Sequence, residues 1–247
     1  MCFLALLHRV VPDYPVVVAA NRDEYRDRPG TAPRALAEGI WGGQDPRAGG
    51  TWLGVNRHGL VVGVTNITRP AGRADPTAAS RGLLCKAALA CPSAAEALDL
   101  SADQVTRRPY NAFNLLAADA RAAEVGSWTA GQWTRRAVEG LFVLANGPAG
   151  EDDPKVRRGQ ERIGRYGDLA AAWAALPEVL ADTGVRPDGR DAICIDARRH
   201  GTLSASLLAV SDRPGCPWRY AFCPASPAKA KARWEDRSAL LAGLGPA

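Results

Sequence analysis

The chain has 247 residues, 47% of them hydrophobic and 23% charged, with a formal net charge of +5. Those proportions exclude a disordered, collagen-like or coiled-coil polypeptide, and no apolar run approaches the roughly 20 residues that span a bilayer. The positive excess is scattered arginine without interleaved aromatics, which argues against nucleic acid as a partner and mildly favours anionic ligands.

A single domain over 1–247 is the expectation at this length. Apolar runs at Cys2–Leu7 and Pro15–Ala20, separated by the turn signal Pro12-Asp13, predict an N-terminal β-hairpin. Phe3–Leu7 stops at His8 and Arg9 and has no basic region before it, so it reads as a strand and not as an export signal. The six cysteines are then expected to be reduced thiols in a cytoplasmic protein. They include no C-x-x-C pair and the three histidines lie far apart, so no metal site is expected.

Residues 21–50 read as a loop rich in Arg, Pro and Gly. Thr51–Asn56 and Leu60–Thr65 form a second predicted hairpin, with Gly59 supplying the positive φ of its turn. A loop over 69–77 leads to helical spacing at Ala78–Ala90, and Ser93 with Glu96 fits a capping box that starts another helix. Ala112–Ala118, Glu124–Trp128 and Leu141–Ala145 read as strands. The basic stretch Lys155–Arg165 reads first as a solvated helix face, with a seat for a carboxylate or phosphate as the sharper alternative. Asp168–Leu180 is helical in composition, and Pro177 should bend or split it. Strands are predicted again at Ala192–Asp196, Leu203–Val210 and Trp218–Phe222, and the tail from Ala225 reads as helical or frayed. Hairpins, then helices, then hairpins define an α+β chain with antiparallel sheets covered by helices.

Cys2 directly follows Met1. Removal of Met1 would leave one residue carrying an α-amine of pKa about 7.7–8.0 and a thiol of about 8.5, a base and a nucleophile together. Position alone favours the plainer role of a small core residue opening a buried strand. Asn21-Arg22-Asp23-Glu24 places four polar residues at the end of a very apolar strand. Charges there are costly unless paired, so Arg22 and Asp23 either pair with each other or face a site. In an antiparallel hairpin that end lies beside Cys2. Asn66 and Asn146 each end a predicted strand, where an amide can donate to a developing oxyanion or simply cap a turn. Gly49–Gly54 permits close backbone approach, but the chain has no dinucleotide fingerprint, phosphate loop or G-x-S-x-G elbow.

Met1-Cys2, Asn21–Glu24, Gly49–Gly54 (GGTWLG), Thr65-Asn66, Ser80-Arg81-Gly82, Tyr110–Leu115, Leu141–Asn146 and Pro154–Arg157 together resemble the NRDE, or TANGO2-like, family, in the family's order. That family is similar to N-terminal-nucleophile hydrolases of the choloylglycine and penicillin V acylase type. The resemblance implies a four-layer αββα sandwich of two mainly antiparallel sheets with an N-terminal cysteine. It also implies oxyanion roles for Asn66 and Asn146, with Arg22 and Asp23 near the nucleophile Cys2. In His200–Ser204 the family's arginine is replaced by Leu203, so no role can rest on a guanidinium there. The implied activity is hydrolysis of a small amide or thioester without a cofactor. A non-catalytic carrier of haem, lipid or acyl-coenzyme A is the alternative, with Cys2, His8, His58 or His200 as possible axial ligands of haem. The expected partner in either case is a small molecule.

Overall fold

In the computed structural model, which describes residues 3–68, 74–229 and 233–245, the two longest apolar runs lie side by side. β1 (Phe3–Val11) pairs antiparallel with β2 (Tyr14–Tyr25), and Phe3 opposes Asn21. Cys2, expected to open β1, and positions 69–73 of the expected loop lie outside the described residues. β2 runs five residues beyond the predicted Ala20, through the polar segment, because β11 (His200–Val210) pairs along its other edge as far as Tyr25.

The segment after it is not all loop. It contains β3 (Arg34–Ala37) and β4 (Ile40–Gly42). β5 (Leu53–Asn56) and β6 (Val61–Asn66) make the second hairpin. Two helices follow, α1 (Arg81–Ala88) and α2 (Ala94–Arg107). Ser93 caps α2 by accepting from the Glu96 amide while its hydroxyl donates to the Glu96 carboxylate, the capping box expected from those two residues. Then come β7 (Phe113–Ala118), β8 (Ala123–Thr129), β9 (Gln132–Ala137) and β10 (Gly140–Leu144). β9 was not expected: only Trp133 and Ala137 in it are apolar, and it is a largely exposed edge.

α3 (Pro154–Arg162) and α4 (Leu169–Leu180) precede β11, and α4 is continuous through Pro177. Ala192–Asp196 is not a strand. Its Cys194 amide donates to the Asp182 carbonyl, and only one bridge, Asp196 to Gly201, joins it to β11. β12 (Arg219–Cys223), a short β13 (Glu235–Asp236) and a 3-10 turn at Ser238–Leu241 complete the described chain, in place of a helical tail.

The strands form two sheets, ordered β10-β1-β2-β11-β12-β13 and β3-β4-β5-β6-β7-β8-β9, in which neighbouring strands are antiparallel. Side-chain alternation divides the first sheet cleanly. Leu4, Leu6, Val16 and Val18 pack toward the second sheet, whereas Phe3, Ala5, Leu7, Val17 and Ala19 pack toward α3 and α4. α1 and α2 cover the far side of the second sheet. The order is helix, sheet, sheet, helix, the four-layer α+β sandwich. Strands buried on both faces read as unbroken apolar runs, which is why the central hairpins were legible.

Candidate functional site

At the end of β2 the alternation that sorts the core also sorts the charges. Asn21 and Asp23 face the α3–α4 layer, and Arg22 faces the second sheet. Asn21 donates its side-chain amide to the carbonyls of Leu180 and Ile193 at 2.8 and 3.0 Å, tying the end of α4 to the sheet. Arg22 and Asp23 therefore do not pair with each other, and the two are not brought together at one site.

The Arg22 guanidinium lies 4.6 Å from the centre of the Trp52 ring, donates to the Arg28 carbonyl at 3.0 Å, and has Glu24 3.9 Å away. Burial pulls its pKa below the ordinary arginine value, against the opposing charges of Glu24 and Asp45. Arg28 is itself bound to Asp45. Burial alone would raise the Asp45 carboxyl, but the hydrogen bond and charge of Arg28 leave it below the usual range. Arg22, Glu24, Arg28 and Asp45 line a cleft of about 750 Å³ together with Trp52, Asn66 and the start of α1 at Ser80–Gly82.

GGTWLG supplies Trp52. The amide of Thr51 donates to the Gly82 carbonyl at 3.0 Å, and its hydroxyl donates to Gly43 at 2.6 Å. Both contacts leave Trp52 facing Arg22.

Asn66 ends β6 and Asn146 follows β10. They are 80 residues apart in sequence, yet the Asn146 side-chain amide donates to the Asn66 carbonyl at 3.4 Å, and the Thr68 amide donates to the Asn146 carbonyl at 2.9 Å. The two predicted oxyanion asparagines are thus neighbours, and Asn66 lines the same cleft as Arg22. Beneath them is a residue that sequence reasoning quoted only as motif. Asn114, fully buried, donates to Thr65 at 3.1 Å and to the Gly147 carbonyl at 2.9 Å, and it accepts from Ser127 and the Ala149 amide. All four of its hydrogen-bonding positions are filled, which fixes the turn after Asn146.

Asp23 lies on the other side of the sheet. It accepts from the Thr202 hydroxyl at 2.6 Å and from the Lys155 ammonium at 3.4 Å. Lys155 is buried, which corrects its assignment to a solvated helix face. Its signal was available only in position: it immediately follows Pro154, inside the first turn of α3.

The histidines do not converge. His8 is buried, with Nε2 on the Asp119 carbonyl at 3.0 Å, so a planar cofactor has no approach to it. His58 sits in the β5–β6 turn and His200 at the start of β11, both exposed. Among the described residues, no histidine lines the cleft with Arg22 and Asn66, and no group of acidic, histidine and cysteine side chains is arranged for a metal. The thiols of Cys85, Cys91 and Cys223 are pushed up by burial, the reverse of what an attacking thiolate requires.

The sandwich has counterparts of known structure. An N-acylethanolamine-hydrolyzing acid amidase orthologue from Caenorhabditis elegans superposes with a TM-score of 0.57 at 11% identity, covering 94% of this chain and 95% of that one. A conjugated bile acid hydrolase from Clostridium perfringens gives 0.53 at 11% identity, covering 95% and 92%. The architecture is that of the N-terminal-nucleophile hydrolases. The family model described as Transport and Golgi organisation 2 (TANGO2) matches residues 1–213, and the chain belongs to that family. A Transport and Golgi organization protein 2 homolog from Bos taurus is 28% identical over 238 residues, covering 80% of this chain and 82% of its own. The Homo sapiens homolog is 33% identical over 154 residues, covering 58% and 47%.

Proposed function

We propose that the protein is a cysteine N-terminal-nucleophile amidohydrolase that cleaves a small amide or thioester in the cleft between Arg22 and Asn66. The observation that carries this reading is that Arg22, stacked on Trp52, and Asn66, whose carbonyl accepts from the Asn146 side chain, line one cleft, at the end of the sheet where β1 begins. Phe3 opposes Asn21 at that end. The reading requires Cys2, the residue before Phe3, to share the inter-sheet side of Leu4 and Leu6.

On this account Met1 is removed, and the Cys2 sulfur attacks the substrate carbonyl while the thiol proton passes to the α-amine of the same residue. The oxyanion that forms accepts from the side-chain amides of Asn66 and Asn146. The Asn146 amide is held by a long bond that substrate can displace. One such donor is worth about 3–4 kcal/mol in the transition state. Collapse expels the leaving amine or thiol, which takes the proton from the α-ammonium. Water then attacks the resulting acyl-thioester, the α-amine accepts its proton, and the acid departs with the thiol restored. Arg22 favours the thiolate by charge and orients the substrate over Trp52.

A panel of acyl p-nitroanilides and acyl thioesters, read by the released amine or thiol, tests this reading. Cys2→Ser is expected to lower turnover at least about 100-fold with an unchanged circular dichroism spectrum. Equal turnover in the parent and the variant contradicts the mechanism.

A further inference from the structure

The cations of the basic stretch after Pro154 are paired, with one exception. Lys155 meets Asp23, Arg157 meets Asp152, and Arg158 and Arg162 share Asp182. Arg165 stands exposed just beyond the end of α3, and among the described residues no carboxylate lies within ion-pair distance of it.

What Arg165 borders is apolar. Leu7, Val10, Leu141, Ile163 and Tyr166 line a pocket of about 450 Å³ with it, and none of the described lining residues is acidic. Each apolar wall has a local cause. α3 stops at Arg162 and Ile163 takes an extended conformation, with its side chain packed into the helix-side core. β10 is the outer strand of its sheet, so no further strand covers Leu141. In β1 the pairing with β2 shifts between His8 and Val11, and Arg9 has a left-handed φ of 58°. Such a bulge re-aims side chains. It leaves Val10 44% exposed, although Leu7 and Val11 are 1% and 3% exposed. The Arg9 guanidinium holds the bulge by donating to the Ala120 carbonyl at 3.0 Å. Gly140 and Gly164 complete the lining, and a Cβ on either would meet nothing within 4 Å, so the mouth is open.

An apolar chain entering here leaves water for Leu7, Val10, Leu141 and Ile163, and gains in proportion to the area covered. A carboxylate on its end meets the one charged side chain among the described lining residues and forms a charge-assisted hydrogen bond. An amine in that place would be repelled, and a neutral head group would leave the guanidinium unmatched.

We infer that this pocket is a ligand site for a monocarboxylate with an apolar tail, the tail lying against Val10 and Leu141 and the carboxylate accepting from Arg165. The pocket shares no lining residue with the cleft of Arg22 and Asn66, so the site stands whether or not that cleft is catalytic.

The test is a titration of the full chain, with its Ile, Leu and Val methyl groups labelled with carbon-13, by hexanoate, octanoate and 1-octanol. The methyl resonances of Val10, Leu141 and Ile163 report this pocket, and those of Val64 and Ile67 report the other cleft. Octanoate is expected to shift the first set saturably and to bind roughly tenfold tighter than hexanoate. Arg165→Gln should weaken octanoate roughly tenfold and leave 1-octanol unchanged. Arg165→Lys should recover part of the loss, since it keeps the charge without the planar fork. Gly164→Phe places a ring in open space at the mouth and should weaken octanoate and 1-octanol alike, at least about tenfold. The absence of a saturable shift at Val10, Leu141 and Ile163 overturns the inference, as do shifts confined to Val64 and Ile67. Equal affinity for octanoate and 1-octanol in the parent, or parent-like octanoate binding in Arg165→Gln, removes the carboxylate from Arg165 and overturns it as well.

Discussion

Trp52 occupies a slot that only hydrogen side chains leave open. A Cβ built on Gly30 would come within 2.5 Å of its ring, and one on Gly43 within 2.4 Å. Arg22 covers its face, so the two glycines set the guanidinium indirectly. Gly43→Ala is expected to cost about 1–3 kcal/mol by overpacking, measured by urea denaturation. The penalty should shrink in a Trp52→Phe background, because the contacted atoms belong to the outer ring that phenylalanine lacks; equal penalties in both backgrounds would contradict the slot. At this scale the sequence showed which residues were polar out of place, but not where they point. Arg22 and Asp23 looked able to pair because they are adjacent. Adjacent residues on a strand face opposite ways, and each found its partner in a distant segment: Trp52 for one, Lys155 and Thr202 for the other.

The α3–α4 layer is tied by a second charged cluster. Arg158 donates to Asp182 through Nε and Nη2 at 2.8 and 2.9 Å, and the Gly184 amide donates to it at 2.7 Å. Arg162 adds an ion pair at 2.9 Å. Burial alone would raise the Asp182 carboxyl, but these donors hold it below the usual range. A carboxylate with a depressed folded-state pKa adds stability above its unfolded value of about 3.9, and that stability is lost as pH falls through the folded one. Asp182→Asn is therefore expected to lose roughly 2 kcal/mol at pH 7, with the gap from the parent closing below about pH 4 in urea melts; a gap independent of pH would contradict the assignment. The same cluster explains a misread element. Ala192–Asp196 has the apolar content of a strand, yet its Cys194 amide is spent on the Asp182 carbonyl. β9 was illegible for the opposite reason, since that exposed edge strand carries no apolar run to announce it, and β3 is an exposed edge of only four residues.

Across the whole molecule, the central hairpins and the capping box of α2 could be read directly, because two-sided burial and local hydrogen bonding both leave marks in contiguous sequence. The layer order followed from resemblance and is matched by the sheets. The site could be read only in part. Asn66 and Asn146 were each visible at a strand end, but their meeting depends on β6 and β10 belonging to different sheets that close on each other. Lys155 was hidden within a basic run whose other members do reach the surface or its edge. The central claim is that the mature chain presents a thiol and a free amine on Cys2. Condensation with 2-cyanobenzothiazole, which requires both groups on one leading residue, followed by intact-protein and peptide mass spectrometry, tests it most directly. The account predicts a chain lacking Met1 that takes up one equivalent of reagent on Cys2; a chain that keeps Met1 and forms no adduct would contradict it.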